Sequence, residues 1–367
     1  KNRDTSALDN KVVFVQGEKY AFLALINARD NKVINAWAGL NSQGFAIMNS
    51  ASRDLAENLK GMNQNGRLMK EALGKCADVA EFERFLRSTN GKRKVAANFG
   101  VIDAQGNACF FETSSDGFSK FDANDPRVAP QGYIIRTNFA YTAPKKGEGG
   151  GYIRFERASR LFQIASAEGR LNRRFILQQV ARDLVNEKLH SHPLSARKAD
   201  NPTSPLYINT NDTINRNSTA SVVLFEGAPS QKESYLSTMW VILGQPICSV
   251  AVPLWVAAAN VPPLLDGPQT SKLNDLARAL ASFLYPDQRG HMSQYLNLSR
   301  FLHYRGQGVL ELLFRIENKV FIETEKKLKE WRPNRPSPQE TLDFEAKIAS
   351  FVYASIQASF PDIKIQE

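Results

Sequence analysis

Apolar segments of two different periodicities come in separate blocks along this chain, and that block order constrains the fold more than any other feature. Short β-rich runs come first, at 12–15, 20–26, 33–39 and 45–49. Gly17-Glu18 marks the first pair as a hairpin, and Leu40-Asn41-Ser42-Gln43-Gly44 reads as a second turn. Segments 67–76 and 77–87 then switch to helical spacing, with Val79, Phe82, Phe85 and Leu86 on one face. Strands return at 95–102 and 107–112 around the turn Asp103-Ala104-Gln105-Gly106, and once more at 133–138. A glycine-rich loop at 147–151 leads into helices expected at 154–167 and 173–188. The polar stretch 190–217 carries Pro193, Pro202 and Pro205 and reads as a long loop. Strands are expected again at 218–225, 236–243 and 250–257. The last third reads as helix, at 271–283, at 308–331 and in a final helix opened by the capping box Ser337-Pro338-Gln339-Glu340. Strands and helices in blocks, without strict alternation, predict an α+β fold of packed antiparallel layers.

Composition removes several function classes. Of 367 residues, 43% are hydrophobic and 23% charged, which excludes a disordered tail, a collagen-like fibre and a disulfide scaffold. The longest apolar run, 247–261, is broken by Pro253 and falls short of the roughly 20 residues a bilayer span requires, so no membrane span is expected. The net charge of +10 comes from scattered groups such as Lys92-Arg93-Lys94 and Lys326-Lys327. With no aromatic-spaced basic stripe and no Cys/His finger, a nucleic-acid partner is not expected, while an acidic substrate is compatible. Cys76, Cys109 and Cys248 have no metal-ligand spacing, and Cys109 and Cys248 sit in apolar runs where a thiol acts as a small hydrophobe. The histidines form no ligand pattern, and His190-Ser191-His192 reads as solvated loop. Neither a metal nor a cofactor is expected.

No phosphate-binding glycine loop, H-E-x-x-H or G-x-S-x-G motif occurs. What remains is a series of polar clusters at strand ends. They are Lys1-Asn2-Arg3-Asp4, Asn41-Ser42-Gln43-Gly44 followed by Asn49-Ser50, Arg136-Thr137-Asn138-Phe139, and the segment from Tyr152 through Arg154 to Arg157. Read locally, each has a plain structural role. Asp4 caps or turns, Asn41 forms a turn because Asn tolerates left-handed φ, Asn49 ends a strand, and Arg154 and Arg157 are solvated or paired. Asn138 stands out, because a Thr-Asn pair closes an apolar segment before a loop.

Taken in this order, the clusters resemble the N-terminal-nucleophile amide hydrolases, in the linear-amide branch of choloylglycine hydrolase, penicillin V acylase and isopenicillin-N acyltransferase. Asn2-Arg3-Asp4 is similar to the family's Asn-x-Asp segment. Gly39-Leu40-Asn41-Ser42-Gln43-Gly44-Phe45 is similar to its glycine-x-asparagine turn, except for the aromatic last position. Thr137-Asn138 is similar to its threonine-asparagine pair, and Arg154 or Arg157 to its helix-opening arginine. Asp103 to Asn107 with Glu112 resembles its aspartate-glycine hairpin, and Gly244-Gln245-Pro246 a later element. The resemblance spans about residues 1–260.

The resemblance implies a four-layer αββα sandwich of two antiparallel sheets over 1–265, lacking its N-terminal strand, with a helical extension over 266–367 that covers a sheet or contacts a second copy of the chain. It implies hydrolysis of a linear amide in a small N-acylated molecule by an N-terminal Cys whose α-amine is the base. That Cys would stand upstream of Lys1, since Cys76, Cys109 and Cys248 cannot present their own α-amine. The chain opens on Lys1, not Met, and is expected to be processed or trimmed, with export to the periplasm or beyond implied by the family. Asp4 would hold the amine. Asn138 and a backbone N–H near Asn49 or Ser50 would stabilise the oxyanion, and Arg154 would orient the thiolate or the amine. Lys1 stands where bile salt hydrolases carry an arginine fork, so bile-acid specificity is not implied. Two alternatives stay open: acyl transfer of the isopenicillin-N type, and an inactive member of the fold that only binds a ligand.

Overall fold

The structure, a computed structural model, describes residues 1–4, 8–55, 61, 64–143, 150–186, 188–189, 206–287 and 289–363, with backbone alone at Asn2 and Asp4. The chain starts in β1 (Asn2–Asp4) and then lays down β2 (Asn10–Val15), β3 (Phe22–Asn27), β4 (Ala38–Asn41) and β5 (Ala46–Ala51). Helices α1 (Asn65–Lys75) and α2 (Val79–Ser88) follow, then β6 (Ala97–Ile102), β7 (Ala108–Thr113) and β8 (Phe118–Asp122). Strands β2 to β8 form one antiparallel sheet of seven in chain order, the arrangement that short turns between neighbours allow. Helix α3 (Gly150–Ala167) leads to α4 (Arg173–Phe175), which runs on as a π-helical turn at Ile176–Val180. Then come β9 (Tyr207–Asn209), β10 (Thr219–Glu226), β11 (Thr238–Leu243) and β12 (Val252–Leu254). Strands β1, β10, β11 and β12 make a second antiparallel sheet in that order, so the first strand closes on residues more than two hundred positions away. Helix α5 (Lys272–Leu284), β13 (Tyr295–Asn297) paired with β9, α6 (Leu298–His303), α7 (Val309–Trp331) and α8 (Pro338–Ser359) complete the described order.

Alternation along the strands supplies two cores. In β3, Leu23 and Leu25 pack with Val12 and Leu40 against Val223, Met239 and Val241 of the second sheet, in a cluster that also takes in Leu280, Phe321 and Val352 from α5, α7 and α8. The intervening Ala24 and Ile26 face the other way, with Ile47, Phe99, Val101 and Phe111, against Leu68, Met69 and Leu73 of α1 and Phe82 and Leu86 of α2. Phe82 sits edge-on to Phe111 at 5.3 Å and to Phe99 at 6.3 Å. Each such buried side chain contributes roughly 1.5–3 kcal/mol. Helix α2 starts where Asp78 accepts from the Glu81 N–H at 2.7 Å, and α8 starts on the expected reciprocal Ser337–Glu340 box. The turn at 41–45 needs Gly44 at φ +82°, and buried Asn41 ties it to the end of α1 through Leu73 O (3.0 Å) and Cys76 O (2.7 Å). Asn41 is therefore a turn former with a second, tertiary job.

The antiparallel α+β class read from the sequence is the class observed. Several elements differ. Segment 133–138, expected as a strand, pairs with no strand. Residues 33–37 are turn and loop, because Asp30 takes the amides of Ile34 and Asn35 at 2.9 Å. The helix expected at 173–188 ends at Val180, and Arg182 just beyond it is buried in the core. Strand β8 was not foreseen. Nor were β9, which falls in an expected loop, and β13, which falls in an expected helical third. Both of the latter are three-residue strands that exist only through each other. His190 and His192 lie outside the described residues, as do most of the polar loop 190–217 and much of 52–65.

Candidate functional site

Of the polar groups singled out at strand ends, Lys1 and Asn138 reach the end of β5 directly and Arg154 reaches it through Asn138. Asn49 is buried there and accepts from Lys1 Nζ at 2.7 Å, while the same ammonium group also donates to Trp37 O at 2.7 Å. Burial holds the Lys1 side-chain amine well below its usual range, and the nearby Arg3 charge adds to the effect. Arg3 is itself buried, donating to Asn10 and to Asn27 (2.5 Å) with its guanidinium 4.8 Å from the Trp37 ring centre. Burial lowers it to about 9.

Two residues beyond Asn49, the Ala51 carbonyl accepts from Asn138 Nδ2 at 2.9 Å. Arg154, in the second turn of α3, donates to Asn138 Oδ1 at 2.8 Å. Asp212 lies 3.9 Å from the Arg154 guanidinium, close enough for charge attraction but too far for a hydrogen bond. Burial lowers the Arg154 pKa, and Asp212 opposes that shift. The start of α3 is brought to this point by Thr137 Oγ1, which donates to Gly151 O at 2.8 Å, and by the Phe139 and Tyr152 rings, stacked at 4.0 Å. Asn138 and Arg154 therefore meet at the end of β5, whereas Asn49 pairs with Phe99 on the β5–β6 ladder and has its side chain on Lys1. The Asp4 backbone stands opposite Thr219 in β1, after a register shift between Arg3 and Asp4, and its side chain lies outside the described residues. Arg157 is drawn elsewhere, into a two-pronged pair with Asp183 at 3.0 and 2.7 Å that ties α3 to the segment after the π-helical turn.

The segment that carries Asn138 is not a strand because side chains have taken the places of a strand partner. Glu112 Oε1 accepts from Arg136 Nε and from the Tyr141 N–H, both at 2.9 Å. Its Oε2 accepts from the Thr142 N–H (2.9 Å) and hydroxyl (2.7 Å). Asn98 Nδ2 donates to Thr137 O at 3.1 Å and Phe139 O at 2.8 Å, Ser50 Oγ donates to Thr137 O at 2.7 Å, and Asp54 accepts the Ala140 N–H at 2.9 Å. Ser50, Asn98 and Glu112 are direct cross-strand neighbours, a polar row over β5, β6 and β7. Reading the sequence missed the functional bearing of Asn98 and Asp54. The available signal was an Asn and a Glu interrupting two apolar strands at matching parity. It becomes informative only once the strands are in register.

None of the chain's cysteines suits nucleophilic work. All are buried, and burial pushes the thiols up, to about 12 at Cys76 and about 11 at Cys109, with Cys248 also raised. Among the described residues, no group of His, Cys, Asp and Glu is placed to hold a metal ion, and no helix is long and apolar enough to cross a membrane. A cavity of about 250 Å³ lined by Arg67, Glu71, Lys92 and Arg93 lies on the α1–α2 side, away from Asn138.

No protein-family model and no curated protein sequence matches the chain. Among solved structures, it is similar to two variants of a conjugated bile acid hydrolase from Clostridium perfringens. Both are 14% identical with TM-scores of 0.30 and 0.31, and the matches cover 46% of this chain and 68% and 69% of those chains. It is also similar to penicillin V acylase from Agrobacterium tumefaciens, at 13% identity and TM-score 0.34, over 70% of this chain and 80% of that one. Values this low transfer neither a site nor an activity.

Proposed function

We propose that the chain is the body of a linear-amide hydrolase with the four-layer αββα architecture. In this reading residues 1–265 form the sandwich and 266–367 a helical extension on it. The observation that carries the reading is the meeting of Asn138, Arg154 and the end of β5. An Asn carboxamide has two N–H donors, and Ala51 O occupies one of those on Asn138. The second is the donor we assign to a developing oxyanion. Arg154, on Oδ1, polarises the amide and fixes which way round it sits. The attacking sulfur would come from an N-terminal Cys ahead of Lys1 in the complete protein, with its α-amine as base and Asp4 beside it. The burial of Cys76, Cys109 and Cys248 supports an attacking sulfur other than theirs. The substrate class is a small N-acylated amine, and an exported location goes with it.

The decisive experiment offers N-acyl amino acids, penicillin V and conjugated bile acids to the complete protein, with and without iodoacetamide. Turnover abolished by alkylation of an N-terminal Cys supports the reading, and adding a free amine as acceptor separates hydrolysis from acyl transfer. Asn138→Ala is expected to cut kcat by about 10²–10³-fold without unfolding the protein; unchanged kcat removes Asn138 from the site. One observation favours a second reading, a ligand-binding member without turnover: every described cysteine is buried. Saturable binding of a bile acid or penicillin V with no product would decide for it.

A further inference from the structure

The Asn138 loop raises a physical question. It is irregular backbone laid over a sheet, with no strand partner, and its peptide groups need hydrogen bonds all the same. Buried side chains supply them on both sides of Asn138. Asn98, fully buried, spans the residue by donating to the carbonyls before and after it, Thr137 O and Phe139 O. Glu112, equally buried, brackets it at longer range through Arg136 on one side and Tyr141 and Thr142 on the other. Arg136 is further fixed by stacking, its guanidinium 3.9 Å from the Tyr141 ring centre and 4.5 Å from that of Phe121. Asn98 turns both contacts toward the loop at a cost, because its Oδ1 is buried with no hydrogen-bond partner among the described residues. An orphaned acceptor inside a sheet is what a residue selected for packing alone would avoid.

We infer that Asn98 and Glu112 are positioning residues that hold the 136–142 backbone so that the Asn138 carboxamide meets Arg154 and the end of β5. The inference rests on Asn138 being the site residue proposed above. The polar row Ser50–Asn98–Glu112 is thus the sheet's mount for the site loop. Each member holds the loop with the atom type it has. Ser50 and Asn98 donate to carbonyls, and Glu112 accepts from amides and a guanidinium. Exchanging donor for acceptor at either position should loosen the loop while leaving side-chain size unchanged.

The test uses the complete protein and three variants, Glu112→Gln, Asn98→Asp and the milder Ser50→Ala, read by amide hydrogen exchange and by turnover of N-acyl-p-nitroanilides. Glu112→Gln sets an NH₂ against two donors. The amides of Tyr141 and Thr142 are expected to exchange about tenfold faster or more while those of β6 and β7 keep their protection. Asn98→Asp sets a carboxylate against two carbonyls and should act on the same segment; if it fails to fold, Glu112→Gln and Ser50→Ala decide. For an active enzyme, kcat should fall about tenfold or more with KM within about threefold, since the loop's geometry at the reacting atom is what changes. Unchanged protection of 139–142 in every folded variant, or a loss spread evenly over β5, β6 and β7, overturns the inference. If the unmodified protein turns over no N-acyl probe, the proposed activity fails, and the exchange arm still decides the positioning role.

Discussion

Two buried arginines show how differently two regions of this molecule use the same side chain. Arg182 is enclosed in the core between the π-helical turn and α7. It donates to Glu317 through both terminal nitrogens (2.9 and 2.8 Å) and to the carbonyls of Leu177, Pro246 and Ser249, and Glu317 also takes the Ala251 N–H at 2.9 Å. Among the described residues Arg154, almost as deeply buried, has one hydrogen bond, to a neutral amide, and a carboxylate 3.9 Å away that is one-third exposed. A saturated buried pair locks elements together. A guanidinium held by one amide beside an open carboxylate keeps capacity for a ligand.

The sharpest way to break this contrast is Glu317→Ala. It strands a buried guanidinium and should cost about 3–5 kcal/mol in urea unfolding; a loss under about 1 kcal/mol would mean that Arg182 is not the lock described. Glu345 tests the opposite extreme, a buried acid with no cation paired to it among the described residues. Its Oε1 accepts from the Trp255 N–H, its Oε2 has no partner, and burial holds its pKa well above the ordinary value. As pH rises past the unfolded carboxyl value, only the unfolded state loses this proton, so stability should fall by about 1.4 kcal/mol per pH unit until the raised value is passed. Glu345→Gln should remove that downward slope in Tm as pH rises above the ordinary carboxyl range; an unchanged slope would refute the assignment. Arg154→Met is expected to shift stability by no more than about 1 kcal/mol, since an apolar side chain of similar length fills the site. It should still abolish the response of Asn138 to ligand, followed by amide NMR. Smallest of all, Asp212→Asn should change stability by less than about 0.5 kcal/mol. A larger effect would make the Arg154–Asp212 contact a structural bridge like that of Arg182.

Legibility followed the range of the interactions involved. The hairpins at 10–27 and 97–113, helices α1, α2, α5, α7 and the α8 capping box could all be read because period, turn and cap are local. Asn138 and Arg154 were legible as residues, by type and position. The segment at 133–138 misled because extended, apolar backbone looks the same whether its partner is a strand or the side chains of Asn98 and Glu112. Segment 173–188 carries helical spacing throughout, yet the helical turns end at Val180, and Arg182 beyond them is spent on a long-range pair with Glu317 that local spacing does not reveal.

By itself, the sequence determined an antiparallel α+β class, most strands and helices, and the short list of polar residues worth watching, since all of these depend on neighbours a few positions apart. Only the tertiary structure decided that β1 pairs with β10, that Asn138 meets Arg154 and the end of β5, and that Ser50, Asn98 and Glu112 line up beneath the Asn138 loop. Those arrangements depend on strand register, and register sums contacts between segments scores to hundreds of residues apart that no local pattern encodes.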